Sequence, residues 1–124
     1  RFGGVSVQIQ EVFDRRRFVF LDGGMGTQLQ QRGLQPGQKP ELAALEMPDV
    51  LTAIHRDYTA AGADILLANT FGANAKKLAG CSHSVEEVVS ASIACARRAG
   101  PTKNLPRSSA LVLLPEPTSS FWRR

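Results

Sequence analysis

The sequence predicts an α/β fold in which parallel strands alternate with covering helices. Three observations carry this. Short, almost wholly apolar runs occur at 18–21, 65–68 and 110–114. Between the first two lies an apolar stripe at helical spacing, and before the third lies a helix with its own start signal. The resulting order is β-α-β-α-β, and strands apolar at nearly every position are those buried on both faces, as in parallel sheets.

Phe18-Val19-Phe20-Leu21 is rich in strand formers and runs into Asp22-Gly23-Gly24, so a buried strand entering a tight turn is expected. Good helix formers follow from Gly26 to Arg32, and Gly33 is placed to cap them. Leu34 to Met47 contains Pro36, Gly37 and Pro40 and reads as a loop. Pro48 suits a first helical position, with Asp49 beside the positive helix end. Val50, Leu51, Ile54, Tyr58 and Ala61 then form one apolar stripe, which Gly62 ends. Ile65-Leu66-Leu67-Ala68 is the second strand. Ser84 and Glu87 have capping-box spacing. Val85, Val88, Val89, Ser92, Ile93 and Ala96 share a face of the helix that follows, which reaches about Arg98. Ala110 to Leu114 supplies a third strand.

Composition narrows the function. The chain has 124 residues, enough for one small domain, and 43% are hydrophobic, as in globular chains. No apolar run has the ~18 residues of a membrane span. The start has no basic region followed by an apolar stretch, so no signal peptide is expected. Two cysteines, Cys81 and Cys95, form no Cys-x-x-Cys pair, which argues against a disulfide framework and makes the cytoplasm the default compartment. The net charge of +4 sits at the ends: residues 18–96 hold five basic against eight acidic side chains. An acidic middle is a poor nucleic-acid surface. Arg15 to Arg17 and Arg123-Arg124 read as solvated termini.

Two loops at strand ends are candidates for chemistry. Asp22-Gly23-Gly24-Met25-Gly26-Thr27 lets the backbone come close to a ligand and present N–H donors, while Asp22 offers an anion. Together they suit an amino acid. A phosphate loop would need Gly-Lys-Ser/Thr, and the dinucleotide fingerprint would need glycine where Leu29 stands. A glycine-rich turn without a ligand has the same spacing. Asn69-Thr70-Phe71-Gly72-Ala73-Asn74 follows the second strand, where barrel enzymes place polar groups, although an Asn/Gly turn looks alike. His55 and His83 have no second ligand at metal spacing and are read as structural or exposed. Cys81 and Cys95 are read as small thiols rather than metal ligands.

In order along the chain, Leu21-Asp22-Gly23-Gly24-Met25-Gly26-Thr27, Arg32-Gly33-Leu34, Pro40-Glu41-Leu42, Pro48-Asp49-Val50, Ile54-His55, Tyr58, Ala61-Gly62-Ala63-Asp64-Ile65, Asn69 to Asn74 and Lys77-Leu78 resemble the homocysteine S-methyltransferase domain family. Within it, the nearest likeness is to the N-terminal homocysteine module of cobalamin-dependent methionine synthases. The resemblance covers residues 18 to about 100. It divides the chain into an N-terminal extension at 1–17, part of a homocysteine-binding barrel at 18–100, and a divergent tail at 101–124, where a shifted reading frame or truncated gene is suspected.

The resemblance implies the first two to three β/α units of a TIM (β/α)₈ barrel, incomplete in this chain. It implies homocysteine as substrate, with Asp22, Gly23 and Gly24 at its amino-acid end and Asn69 and Thr70 lining the same mouth. It implies a zinc ion held by three cysteines, and a methyl group from methylcobalamin recharged by methyltetrahydrofolate on downstream folate and cobalamin modules. Betaine or S-methylmethionine would be the donors in other branches. The family's Gly-Gly-Cys-Cys zinc motif is absent, and neither Cys81 nor Cys95 matches a ligand position. The chain is therefore expected to lack the zinc site and to be inactive alone, or to persist as a non-catalytic binding or scaffolding remnant. No catalytic residue is assigned.

Overall fold

The structure, a computed structural model, describes residues 10, 13–14 and 18–99 and the backbone of 111–113. The expected extension and tail otherwise lie outside the described residues, as do both terminal arginine groups. Element order is α1 (Gly26–Gln31), a one-turn 3-10 helix (Pro40–Leu42), α2 (Ala43–Glu46), α3 (Pro48–Ala60), β1 (Ile65–Leu67), α4 (Val85–Arg98) and β2 (Leu111–Leu113).

β1 and β2 pair in parallel with Ile65 opposite Leu111 and Leu67 opposite Leu113. On the other edge of β1, Leu21 forms a single parallel bridge to Ile65. The three extended segments thus lie side by side in chain order, as the alternating pattern requires. The first is shorter than expected. Ile65 N–H donates to Phe20 O (3.2 Å) and Asp22 N–H to Ile65 O (3.0 Å). A regular parallel ladder would next run from Leu67 N–H to the Asp22 carbonyl. Instead Leu67 N–H donates to Asp22 Oδ2 at 3.1 Å. The side chain takes the rung of its own main chain, and the backbone turns away into the glycines.

Phe18, Phe20 and Leu21 are each more than half exposed, so the expected burial of this run is corrected. An apolar strand is buried on both faces only where both are covered. Here Leu66 packs with Ala63, Ala99 and Tyr58, whereas its neighbour Leu67 is 38% exposed.

The helices pack chiefly on each other. One core joins Leu29, Leu34, Ala43, Ala44, Leu51, Ile54 and Cys95; a second joins Leu42, Ala73, Leu78 and Val88. α3 begins at Pro48 as expected, and Gly62 closes it with φ +108°, a conformation that suits glycine. Its buried face is Leu51, Thr52, Ile54, His55 and Thr59, while Ala61 is exposed, so the stripe lies rotated from the expected one. Gly33, with φ +115°, follows α1 in the same manner. Ser84 caps α4, its Oγ accepting Glu87 N–H at 3.1 Å. The loop expected at 34–47 instead contains two short helices. Pro40 at a first-turn position and the helix-forming Ala43-Ala44-Leu45-Glu46 account for them. Among the described residues no helix is long and apolar enough to cross a membrane.

Candidate functional site

Asp22 stands where the first extended segment ends. Its carboxylate is divided in role. Oδ2 holds the Leu67 amide, and Oδ1 is buried without a hydrogen-bond partner among the described residues. Burial raises the Asp22 pKa above the usual carboxylate value, partly offset by the Leu67 and Asp22 backbone N–H groups. An anion with one unmet, desolvated oxygen is a site for a cation or a strong donor.

The glycines after it serve different ends. None of Gly23, Gly24 and Gly26 has positive φ, so none is needed for backbone conformation. Gly23 lies flat on Tyr58: a Cβ there would fall 3.0 Å from the phenol oxygen and 3.1 Å from ring Cε1. Tyr58 Oη also donates to Gly24 O at 2.6 Å. Gly26 has nothing within 4 Å on its open side. The space left at Gly23 is therefore filled by the protein itself, and open approach to the backbone is left at Gly26.

Asn69 and Thr70 sit beyond β1 on a loop fastened at several points. Asn69 Nδ2 donates to Pro40 O (2.8 Å), and its carbonyl accepts Ser92 Oγ–H (3.1 Å). Thr70 is buried, and its carbonyl accepts Ala73 N–H at 3.0 Å. Next to Pro40, Glu41 is buried and pairs with Lys77 Nζ at 3.4 Å. Lys39 Nζ donates to Lys77 O, and Asn74 Oδ1 accepts Lys77 N–H at 2.9 Å. The two loops are thereby locked together. Asp22 is joined to this assembly through Leu67, two residues before Asn69. Asn69 carries an internal bond, whereas Asp22 retains an unmet oxygen.

Sequence reasoning missed Tyr58 and Glu41. Tyr58 stands in the apolar stripe and among the residues of the family resemblance, but neither gives it a site role, although a tyrosine's polar tip needs a partner when its ring is packed. Glu41 gave the weaker signal of an acid beside Pro40. His55 proves fully buried, with neither ring nitrogen hydrogen-bonded among the described residues, and desolvation lowers its pKa to about 4. It lies in the helix packing and is not joined to Asp22 by any described contact. A cleft of about 400 Å³ between Phe20, Leu21, Tyr58 and Ala61 to Ala63 does not include Asp22, Asn69 or Thr70 in its walls.

Methionine synthases of Mycobacterium leprae and Mycobacterium tuberculosis are each 44% identical to this chain over 71 residues, 51% of its length and 6% of theirs. The solved structure of the homocysteine methyltransferase MmuM from Escherichia coli, in a metallated form, superposes with a TM-score of 0.73 at 23% identity, covering 88% of this chain and 41% of that one. That likeness is one of fold. The present chain thus spans a small part of the mycobacterial relatives and under half of the bacterial enzyme. The homocysteine S-methyltransferase family matches residues 19–114, a span that takes in the Asp22 loop, the Asn69 loop and all three parallel segments, and the chain belongs to that family.

Proposed function

We propose that this segment is the amino-acid-recognising opening of a homocysteine S-methyltransferase barrel. The observation that carries the reading is Asp22 Oδ1, buried and unmet at the carboxyl end of a parallel segment. A homocysteine ammonium placed there would supply the missing donor. It would also offset the burial that now disfavours the charged carboxylate. Backbone N–H groups of the Gly23–Gly26 loop would take the ligand carboxylate. Asn69 and Thr70 would shape the adjoining wall. Three parallel segments in chain order, with a helix between each pair, support the reading as the first two to three units of a (β/α)₈ barrel.

In this family zinc binds the homocysteine sulfur as a thiolate, which makes it nucleophilic. The residues present do not fit such a site. Cys95 is fully buried, its Sγ donating to Pro48 O at 3.7 Å, and Cys81 lies on a separate loop. Among the described residues no three His, Cys, Asp or Glu side chains group to hold a metal. This segment's part is therefore to hold the amino-acid end of the substrate, and the chain by itself is proposed to transfer no methyl group. Similarity to the mycobacterial methionine synthases favours methylcobalamin, recharged from methyltetrahydrofolate on other modules, over betaine or S-methylmethionine as the donor. The non-catalytic remnant would use the same loop.

The test is a titration of the chain with L-homocysteine, followed by amide chemical shifts, beside Asp22→Ala. Loss of a charge-assisted bond costs about 1.5–3 kcal/mol, or roughly one to two decades in affinity. N-acetylhomocysteine, which lacks the ammonium, should not distinguish the two proteins. Unchanged homocysteine affinity beside a lowered melting temperature in Asp22→Ala would leave Asp22 a turn residue only.

A further inference from the structure

We infer that Tyr58 is a positioning residue for the amino-acid loop: through the Gly24 carbonyl it sets the direction of the peptide unit that presents the Met25 N–H. The inference rests on the homocysteine reading for its ligand, though not for its geometry. Tyr58 Oη donates to Gly24 O at 2.6 Å. The Gly24 carbonyl and the Met25 N–H belong to one planar, trans peptide, so they point in opposite directions. Anchoring the carbonyl on the helix side aims the N–H away from it.

Two further observations make Tyr58 a fixed reference point. Its ring packs against two separate cores, one with Leu51 and Ile54 and the other with Leu66 and Ala99. Its own carbonyl accepts Ala63 N–H at 3.0 Å in the turn that leads into β1. The residue therefore ties α3, the entry to β1 and the loop after the first extended segment to one another. Gly23 completes the arrangement. With nothing but hydrogen facing the ring, the loop descends until Gly24 O meets the hydroxyl. Any side chain at 23 would meet the phenol oxygen, Cε1 and Cζ within 3.3 Å and lift the loop from its anchor. Glycine at 23 and tyrosine at 58 thus form one device.

Tyr58→Phe removes the anchor and keeps the ring. Two readouts separate the positioning role from the ligand. Without ligand, the backbone order parameters of Met25 and Gly26 should fall, because the peptide that Tyr58 orients loses its anchor. With ligand, the homocysteine dissociation constant should rise by about three- to tenfold, as loss of a neutral hydrogen bond implies. A merely structural tyrosine would lower the melting temperature and move neither. Tyr58 is the only tyrosine in the chain, so 3-fluorotyrosine gives one fluorine resonance. That line should shift on addition of homocysteine and saturate at the same concentration as the Gly24 and Met25 amides. Gly23→Ala should weaken binding in the native background and cost less in the Tyr58→Phe background, where the nearest obstructing atom is gone.

Order parameters and affinity both unchanged in Tyr58→Phe would overturn the inference, as would a fluorine line indifferent to bound homocysteine. Lowered order parameters in a protein whose unmodified form binds no homocysteine would support Tyr58 as the loop's anchor and refute the substrate reading alone.

Discussion

Gly72 and Glu41 occupy space that only one side chain can fill. A Cβ on Gly72 would collide with the Glu41 carboxylate and lie 2.8 Å from its Cγ. Glu41 is buried and paired with Lys77, so it has little room to yield. Gly72→Ala should destabilise the chain by about 1–3 kcal/mol through overpacking. Glu41→Ala in the same chain should recover part of that loss. The measurement is a double-mutant cycle from chemical denaturation, in which additive effects would dissolve the proposed collision.

His55 predicts an acid limb of stability. Its folded pKa of about 4 lies below the unfolded value because burial disfavours the charged ring. As pH falls, the unfolded chain takes the proton first. The contribution is therefore complete above about pH 6.5, declines between there and about pH 4, and amounts to at most about 3 kcal/mol. Asp22 acts in the opposite sense: its raised pKa favours the folded chain at low pH, and that contribution fades as pH rises through the folded value. His55→Leu isolates the histidine part. Its stability should be flatter than that of the native chain from pH 6.5 to 4, and parallel curves would count against the assignment.

Ser84 is the side-chain cap of α4, holding the Glu87 amide that the helix itself leaves open. Ser84→Ala should cost about 1 kcal/mol, and Ser84→Gly only a few tenths. Thermal melts of the two variants give the comparison, and an alanine variant as stable as the native chain would show the cap to be idle. Glu87 does not close the box by a described bond to Ser84; its carboxylate meets His83 Nδ1 at 3.2 Å.

The two cysteines give a prediction about metal. Cys95 Sγ is held between Pro48 O and Arg98, inside the helix packing. Zinc added to the purified chain should be removed by a short desalting step, leaving no stoichiometric metal by elemental analysis. One tightly held zinc per chain would require a ligand set outside the described contacts.

Much of the architecture was legible because single residues announce it. Pro48 starts α3, Gly62 and Gly33 follow helices with positive φ, and Ser84 starts α4, each through a backbone requirement local to a few residues. Asp22 was legible as the charged residue at a strand end. What was hidden depends on distant partners. Nothing near Asn69 in sequence says that its amide holds Pro40, 29 residues earlier. Nothing near Gly23 says that its missing side chain makes room for Tyr58. The rotated face of α3 was hidden for a similar reason. Thr52, His55 and Thr59 read as polar, but helix packing decides burial by geometry and takes them in.

The rung that Asp22 makes with its side chain would join the proposed ligand capture to the cohesion of the sheet edge. One carboxylate oxygen fastens the first extended segment to Leu67, and the other is the proposed ligand contact. If the ligand binds only the fastened form, occupancy and fastening are thermodynamically linked. A ligand at a hundred times its dissociation constant would hold the edge closed by about 2.7 kcal/mol. Fraying of that edge would weaken the ligand by the same linkage. Substrate would then act as a removable stitch in the sheet, and the hydrogen-exchange rate of the Asp22 and Leu67 amides would report its concentration.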